Sequence, residues 1–314
     1  MITVIKPGDF TTIQDEGRWG YQAWGMPVAG TMDRYAGRMV NVLTGNSERA
    51  AVIEMTGIGA EFKFDEEQIV AVGGANMQGT LNGRPIESWS AFLVPPGGEL
   101  RFGPAIAGYR AYLAVRGGFD VPLVLGSRST YTRAKIGGHE GRSLRQGDVL
   151  HIGKSITANR PLLKLPVSYI PRYKAACNVR IIFGPQDNLF TGESIDIFLK
   201  GIYTVAGSSD RVSYQFMGPK IDSLVNKQDI VSDAVSMGAI QVLSSGLPCV
   251  AAADHGTIRG FAKLGYVIQV DLAKLGQVSP GDTVRFTMVT EQEAVHAWKE
   301  EQQGYKKIAN SLYR

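Results

Sequence analysis

At 314 residues, with 44% hydrophobic and 20% charged residues, the chain has material for a large core and two domains, and is too apolar for a disordered tail. Its formal net charge of +4 comes from scattered lysines and arginines, without the dense patch or stripe that nucleic-acid binding requires. No run approaches the roughly 18 apolar residues of a membrane span, and two cysteines without Cys-x-x-Cys spacing cannot make a structural zinc set alone.

Met1-Ile2-Thr3-Val4-Ile5 opens as a strand, with no basic and then apolar stretch of an export signal. Cys177 and Cys249 therefore read as reduced thiols, and the cytoplasm is the expected compartment. A long irregular piece passes Asp15, Gly17-Arg18 and the aromatics Trp19, Tyr21 and Trp24, which can stack on a flat ring, meet a partner or fill a barrel end. Ala36, Met39, Val40 and Leu43 repeat at helical spacing, which predicts a helix from about Asp33 to Leu43, capped by Thr31 or Asp33 and stopped at Gly45-Asn46.

Short strands are expected next over 51–55, 61–64, 68–72, 87–94, 99–102, 109–115 and 148–152. Asn82-Gly83 is the strongest hairpin signal among the turns between them. Glu54, inside the apolar run Val52-Ile53-Glu54-Met55, needs a partner if it faces inward. Many short strands with little helix between them argue for a barrel or sandwich and against a doubly wound parallel sheet.

The proline-bearing piece from Ser155 to Pro171 is the expected junction. Strands then follow over 178–183, 203–205, 239–243, 250–253, 266–270 and 283–288, with a short helix over 193–199. A final helix starts on the capping box Thr290 to Glu293 and is expected to end at Gly304.

The Gly-rich dinucleotide fingerprint, the phosphate loop and the Gly-x-Ser-x-Gly elbow are all missing, so nothing in the sequence ties ATP to this chain by those routes. None of the four histidines has metal-ligand spacing. Leu125-Gly126-Ser127-Arg128-Ser129-Thr130-Tyr131 mixes glycine, hydroxyls and arginine. It reads either as a rim for a small anion or as a set of tight turns.

A similar phrase, Gly207-Ser208-Ser209-Asp210-Arg211, returns downstream, and Asp254-His255-Gly256-Thr257-Ile258-Arg259 follows an apolar strand. Each places a carboxylate beside a cation. The carboxylate can orient or deprotonate an amide nitrogen while the arginine holds an anion, or each loop can close on its own internal ion pair. Both readings stay open.

These phrases, with Thr11-Thr12-Ile13-Gln14-Asp15-Glu16-Gly17-Arg18, Gly30-Thr31-Met32-Asp33 and Asn41-Val42-Leu43-Thr44-Gly45-Asn46, resemble the biotin-dependent carboxyltransferase family, also called allophanate hydrolase subunit 2. Within it the chain is most similar to the branch of the C-type subunit of 5-oxoprolinase, whose relatives include an antagonist of a histidine-kinase inhibitor. The resemblance implies a mainly β fold, two tandem cyclophilin-like β-barrel domains with a few short peripheral helices. These are expected over residues 1–160 and 161–314, the second ending in the C-terminal helix.

The implied activity is ATP-dependent hydrolysis of 5-oxo-L-proline to L-glutamate by a complex. The alternatives are carboxyl transfer from carboxybiotin to urea or a related amide, or a non-catalytic role against the kinase inhibitor. The implied partners are a smaller subunit-1 or kinase-inhibitor-like protein and a protein like the A-type subunit of 5-oxoprolinase, with no nucleic acid and no membrane. No cofactor is expected to be tightly bound by this chain. ATP is used by the complex, and biotin enters only in the carboxyltransferase alternative.

Expected catalytic residues are Asp210, Asp254, Arg211 and Arg259, with Arg128, Ser127, Gln241, Thr257 and Arg18 on the substrate. The sequence departs from the family pattern in two places. Ser213 and Gln215 stand where glycine and arginine are usual, and Arg259 and Ala262 where glycine and proline are usual.

Overall fold

The computed structural model describes residues 1–154, 161–224 and 230–312. Residues 155–160, the first part of the junction expected over 155–171, lie outside the described residues. The chain forms two units, one of Met1–Trp19, Ala29–Tyr173 and Lys306–Arg314, the other of Gly20–Val28 and Lys174–Tyr305.

The first unit contains β1 (Ile2–Lys6), β2 (Phe10–Gln14), α1 (Arg34–Thr44), β3 (Val52–Thr56), β4 (Glu61–Phe64), β5 (Gln68–Asn76), β6 (Thr80–Leu81), β7 (Arg84–Pro85), β8 (Ser90–Val94), β9 (Glu99–Arg101), β10 (Ala107–Val115) and β11 (Val149–Leu150). They make a six-stranded sheet, β11-β1-β4-β9-β6-β7, and a five-stranded sheet, β2-β3-β10-β5-β8. Alternation decides which side chains go inside. Val4, Phe62, Phe64 and Leu100 from the first sheet share one buried core with Ile13, Ile53, Val70 and Leu113 from the second.

Asn82 and Gly83 both take positive φ, 50° and 78°, and turn β6 into β7 as a two-residue hairpin must. Asp33 caps α1 by accepting from the Ala36 N–H at 3.0 Å, and Gly45 ends it in the left-handed conformation. The helix lies against β5 and β10 with Ala36, Met39, Val40 and Leu43 buried. Gly73 on β5 allows this approach, because a Cβ there would come within 2.9 Å of Val40 Cγ1 and 3.0 Å of the Trp89 ring.

The second unit contains β12 (Ala176–Phe183), α2 (Gly192–Lys200), β13 (Tyr203–Val205), β14 (Ser213–Met217), β15 (Asp233–Ala234), β16 (Ala239–Val242), β17 (Pro248–Ala251), β18 (Ile258–Arg259), β19 (Lys263–Val267), α3 (Leu272–Leu275) and β20 (Thr283–Met288). Seven strands close into a barrel, β12-β19-β16-β17-β14-β13-β20, completed by parallel pairing of β12 with β20. Its aromatic cluster is tight: Phe286 stacks on Phe198 at 4.8 Å and meets the Phe216 ring edge-on at 5.6 Å. Burial among these rings pushes the Tyr203 phenol up to about 12. The short pair β15–β18 stands apart as a separate two-stranded arm.

A last helix, α4 (Glu291–Leu312), starts on the expected capping box, with Thr290 Oγ1 accepting from the Glu293 N–H and Glu293 Oε2 accepting from the Thr290 N–H. It does not stop at Gly304. Tyr305 and Ile308 continue its apolar spacing and are buried, which outweighs the roughly 1 kcal/mol penalty of an internal glycine. β14 and the start of β19 at Lys263 are further elements that local pattern did not reveal.

Asp271 ties the barrel wall to the turn before α3. It is fully buried, and Arg180 reaches its two carboxylate oxygens at 2.7 and 3.1 Å, with Lys274 at 3.0 Å. Burial alone raises its carboxyl, but the Arg180 and Lys274 contacts outweigh that and hold it below the usual carboxylate range. The stability it adds is present above the unfolded carboxylate pKa and is lost as pH falls through the lower folded value. Asp271→Asn should therefore cost the second unit about 2–3 kcal/mol at pH 7, the order expected for lost charged hydrogen bonds. The gap from wild type should close on acidification. Urea unfolding at pH 7 and at pH 3 measures both, and an unchanged gap would refute the assignment.

Candidate functional site

In the first unit one carboxylate gathers the serine-rich loop. Asp15, at the end of β2, accepts through Oδ1 from the Gly17 N–H at 2.8 Å, Ser127 Oγ at 2.7 Å and Ser129 Oγ at 2.5 Å. Its Oδ2 accepts from the Arg128 N–H at 2.6 Å. Arg18 is 0% exposed and reaches back to the same loop, donating to the carbonyls of Val124 and Ser129 at 3.0 and 2.9 Å. Ser127 and Arg18 thus hold the loop. Arg128 donates through Nε to the Val121 carbonyl at 3.1 Å, and its two terminal nitrogens have no partner among the described residues. They are the groups of this loop left for an anion.

A second polar cluster in this unit lies under the start of α1. Glu54 is 1% exposed, and its Oε2 accepts from the Met32 N–H and from the Tyr112 hydroxyl, both at 2.8 Å. The Tyr112 oxygen in turn accepts from the Asp33 N–H, and Tyr173 donates its hydroxyl to Asp33 Oδ2 at 2.8 Å. Glu54 and Tyr112 face each other in register across β3 and β10, so both project on the side away from the apolar core. Burial, then the charges of Glu54 and Asp33, push the Tyr112 phenol well above its ordinary range, which keeps it a neutral donor. Glu54 gets the partner its sequence position demanded.

In the second unit the acid–base candidates pair across loops, not within them. Arg211 grips Asp254 with two parallel bonds, Nε to Oδ2 at 3.0 Å and Nη2 to Oδ1 at 2.9 Å. The Arg211 carbonyl accepts from the Asp254 N–H and the Val212 carbonyl from the Ala252 N–H, which extends the β14–β17 ladder past its strands. Asp210 turns inward on its own chain, its Oδ1 accepting from the N–H groups of Val212 and Ser213 at 2.8 and 3.1 Å. Thr257 is buried and gives its carbonyl to the Val235 N–H.

His255 sits beside the pair with Nδ1 donating to the Gly256 carbonyl at 2.9 Å. Burial foremost, with the Arg259 charge adding to it, holds the imidazole below its ordinary range, so it is neutral near pH 7.

Gln241, Cys249, Gln215 and Lys263 are direct neighbours across β14, β17, β16 and β19. Burial pushes the Cys249 thiol up. Ser213 and the Arg259 charge work against that, and the Asp210 charge adds to it. Lys263 is 1% exposed and donates to Asp233 Oδ2 at 2.9 Å and to the Ala234 carbonyl at 3.1 Å. The strand expected to start at Tyr266 hid this lysine from sequence reasoning. Its signal was a lone cation in the run Phe261-Ala262-Lys263-Leu264.

The first unit therefore gathers Arg18, Ser127 and Arg128 around Asp15, and the second gathers Asp210, Arg211, Gln241, Asp254, Thr257 and Arg259 on neighbouring loops and strands. Among the described residues no group of three or more His, Cys, Asp or Glu has the geometry to hold a metal ion. Among the same residues no helix is long and apolar enough to cross a membrane. Asp15→Ala removes four acceptor contacts and should destabilise the first unit by about 2–4 kcal/mol. It should also raise amide exchange across residues 124–131. Unchanged protection there would show that the loop holds itself.

Residues 24–288 match the family described as carboxyltransferase domain, subdomain A and B. The C-type subunit of 5-oxoprolinase from Haemophilus influenzae is 34% identical over 294 residues, 94% of this chain and 93% of that protein. The urea amidolyase of Lachancea kluyveri is 33% identical over 311 residues, 93% of this chain and 17% of that protein, so the chain spans a small part of the amidolyase. The crystal structure of the K. lactis urea amidolyase superposes with a TM-score of 0.92 at 30% identity, over 98% of this chain and 20% of that one. With most of its length matched, this chain belongs to the family of carboxyltransferase domains built from subdomains A and B.

Proposed function

We propose that the chain is the amide-recognising subunit of an ATP-dependent complex that hydrolyses 5-oxo-L-proline to L-glutamate. The observation that carries this reading is the near end-to-end match with the C-type subunit of 5-oxoprolinase, against a match to only a small part of the amidolyase. The chemistry asks for a group that takes or orients the lactam N–H, donors for the carbonyl oxygen as water adds, and cations for the ring carboxylate. Asp254, fixed by Arg211, is the oriented carboxylate. Asp210 is a second, closed onto its own turn. Thr257 and Gln241 are neutral hydrogen-bonders and Arg259 holds the ring carboxylate, while Arg128 is an anion holder of the first unit by itself. Ser127 and Arg18 act through the loop they hold.

ATP enters through the other components, a smaller subunit-1-like protein and a protein like the A-type subunit of 5-oxoprolinase. This chain supplies no tightly bound cofactor.

A second reading, carboxyl transfer from a carrier-borne carboxybiotin to urea or a related amide, is favoured by the family description and by the 0.92 superposition. Both substrates present an N–C=O unit, so the same Asp254 and Thr257 serve either chemistry.

Co-purification with the adjacent subunits should give ATP-dependent glutamate release from 5-oxo-L-proline, and none from this chain alone. Thr257→Val and Asp254→Asn should each lower kcat/KM by about 100-fold, the order seen when a site loses a charge or an oriented donor. Circular dichroism checks that the second variant still folds with Arg211 unpaired. Full activity in both variants would overturn the residue roles. Labelled carboxyl transfer to urea without glutamate release would overturn the reaction.

A further inference from the structure

The buried wall of the second unit holds a donor with nothing to donate to. Gln241 is 1% exposed, and its Nε2 has no hydrogen-bond partner among the described residues. An amide N–H buried without an acceptor is costly, and native proteins keep few of them. Directly across the strand pair stands Lys263, whose ammonium has three protons and two acceptors, Asp233 Oδ2 and the Ala234 carbonyl. A buried ammonium has to be met by a counter-charge. Here the counter-charge comes from a side chain that is itself 60% exposed, on the short arm and not on the barrel.

The arm brings another cation. Arg259 on β18 lies opposite Asp233 on β15 in register, so the two side chains project to one side of the arm. Val235, the residue after β15, packs on Ala239 and Ala251, which alternate with Ile240 and Val250 and so share the face of Gln241 and Cys249. The arm therefore covers this polar wall. Lys263, in register with Gln241 on the wall, holds the Asp233 carboxylate, and Arg259 is the register partner of Asp233 on the arm.

We infer that this wall is a receptor for a small carboxylate, in which Lys263 and Gln241 bind the ligand's oxygens, Arg259 closes over them, and Asp233 occupies the site as a built-in substitute until the ligand displaces it. A free carboxylate gives Lys263 the same charged hydrogen bond that Asp233 gives and also offers Gln241 the acceptor it lacks. Asp233 is tethered to the exposed arm and so can leave at the cost of a solvent-screened contact. The identity of the acid rests on the proposed function, with the ring carboxylate of 5-oxo-L-proline as the occupant. The receptor itself rests on the geometry alone.

Calorimetric titration of the full chain with 5-oxo-L-proline, with pyrrolidin-2-one (the same lactam without its carboxylate) and with acetate tests it. Binding of 5-oxo-L-proline is expected, with pyrrolidin-2-one weaker by 10-fold or more, the order of one charged hydrogen bond. Asp233→Asn should tighten binding by about 10-fold by removing the competitor. Gln241→Met and Lys263→Met should each weaken it by a similar factor.

If Lys263→Met does not fold, the exposed Asp233→Asn still decides. Unchanged or weaker acid binding in that variant overturns the receptor. Equal binding of pyrrolidin-2-one also overturns it while leaving the proposed substrate in place. Acetate binding that tightens in Asp233→Asn, with no binding of 5-oxo-L-proline, supports the receptor and removes the proposed substrate. No binding of any probe to wild type or to Asp233→Asn overturns the receptor outright.

Discussion

A charge taken out of water must be met inside the protein, and that requirement organises both units. Desolvation costs several kcal/mol per ion, so a buried carboxylate or guanidinium draws a full set of partners to itself. Asp15 draws the Ser127–Ser129 loop onto the end of β2. Arg211 and Asp254 draw two loops into an extension of the β14–β17 ladder. Asp271 draws in Arg180 and Lys274. The polar loops converge because each charge can be satisfied in only one arrangement.

The same rule separates groups that maintain the fold from groups left over for chemistry. Arg18 spends Nε and Nη2 on the loop, and Ser127 its hydroxyl. Asp210 spends one oxygen on two backbone N–H groups of its own turn. Arg128 keeps two nitrogens uncommitted among the described residues, and Gln241 keeps an amide nitrogen inside the protein with no acceptor. Gln14 Oε1, Thr56 Oγ1 and the Tyr203 hydroxyl are also buried without a partner among the described residues, and of this set the Gln241 amide is the one in register with a buried lysine, Lys263.

What the sequence revealed followed the range of the interaction responsible. The α1 cap at Asp33, the Asn82-Gly83 hairpin and the Thr290–Glu293 box are set by neighbours within four residues, and each forms as read. The demand of Glu54 for a partner was also legible, because a carboxylate in an apolar strand is costly wherever its partner comes from. The barrel was expected from strand density and the family resemblance, but not which strands close it, since β12 and β20 pair across about a hundred residues of chain. The ion pairing was not legible either. In sequence Asp210 stands next to Arg211, and Arg259 follows Asp254, yet the bond that forms joins Arg211 to Asp254, 43 residues apart. Lys263 escaped notice because its strand begins with it, and a strand's first residue carries little periodicity.

The departures from the family pattern gain meaning from the same accounting. Ser213, where glycine is usual, keeps its place in the ladder opposite Ala251. Gln215, where arginine is usual, accepts from Ser208 Oγ at 3.0 Å and gives up a cation at that position. Arg259, where glycine is usual, adds a cation opposite Asp233 on the arm. Formal charge is thus conserved while its location changes, from β14 of the barrel wall to the strand that covers it. A cation on the arm acts only when the arm is in place, and one on the wall acts always. In the receptor proposed above, the hold on an anion is therefore coupled to the contact between the arm and Lys263.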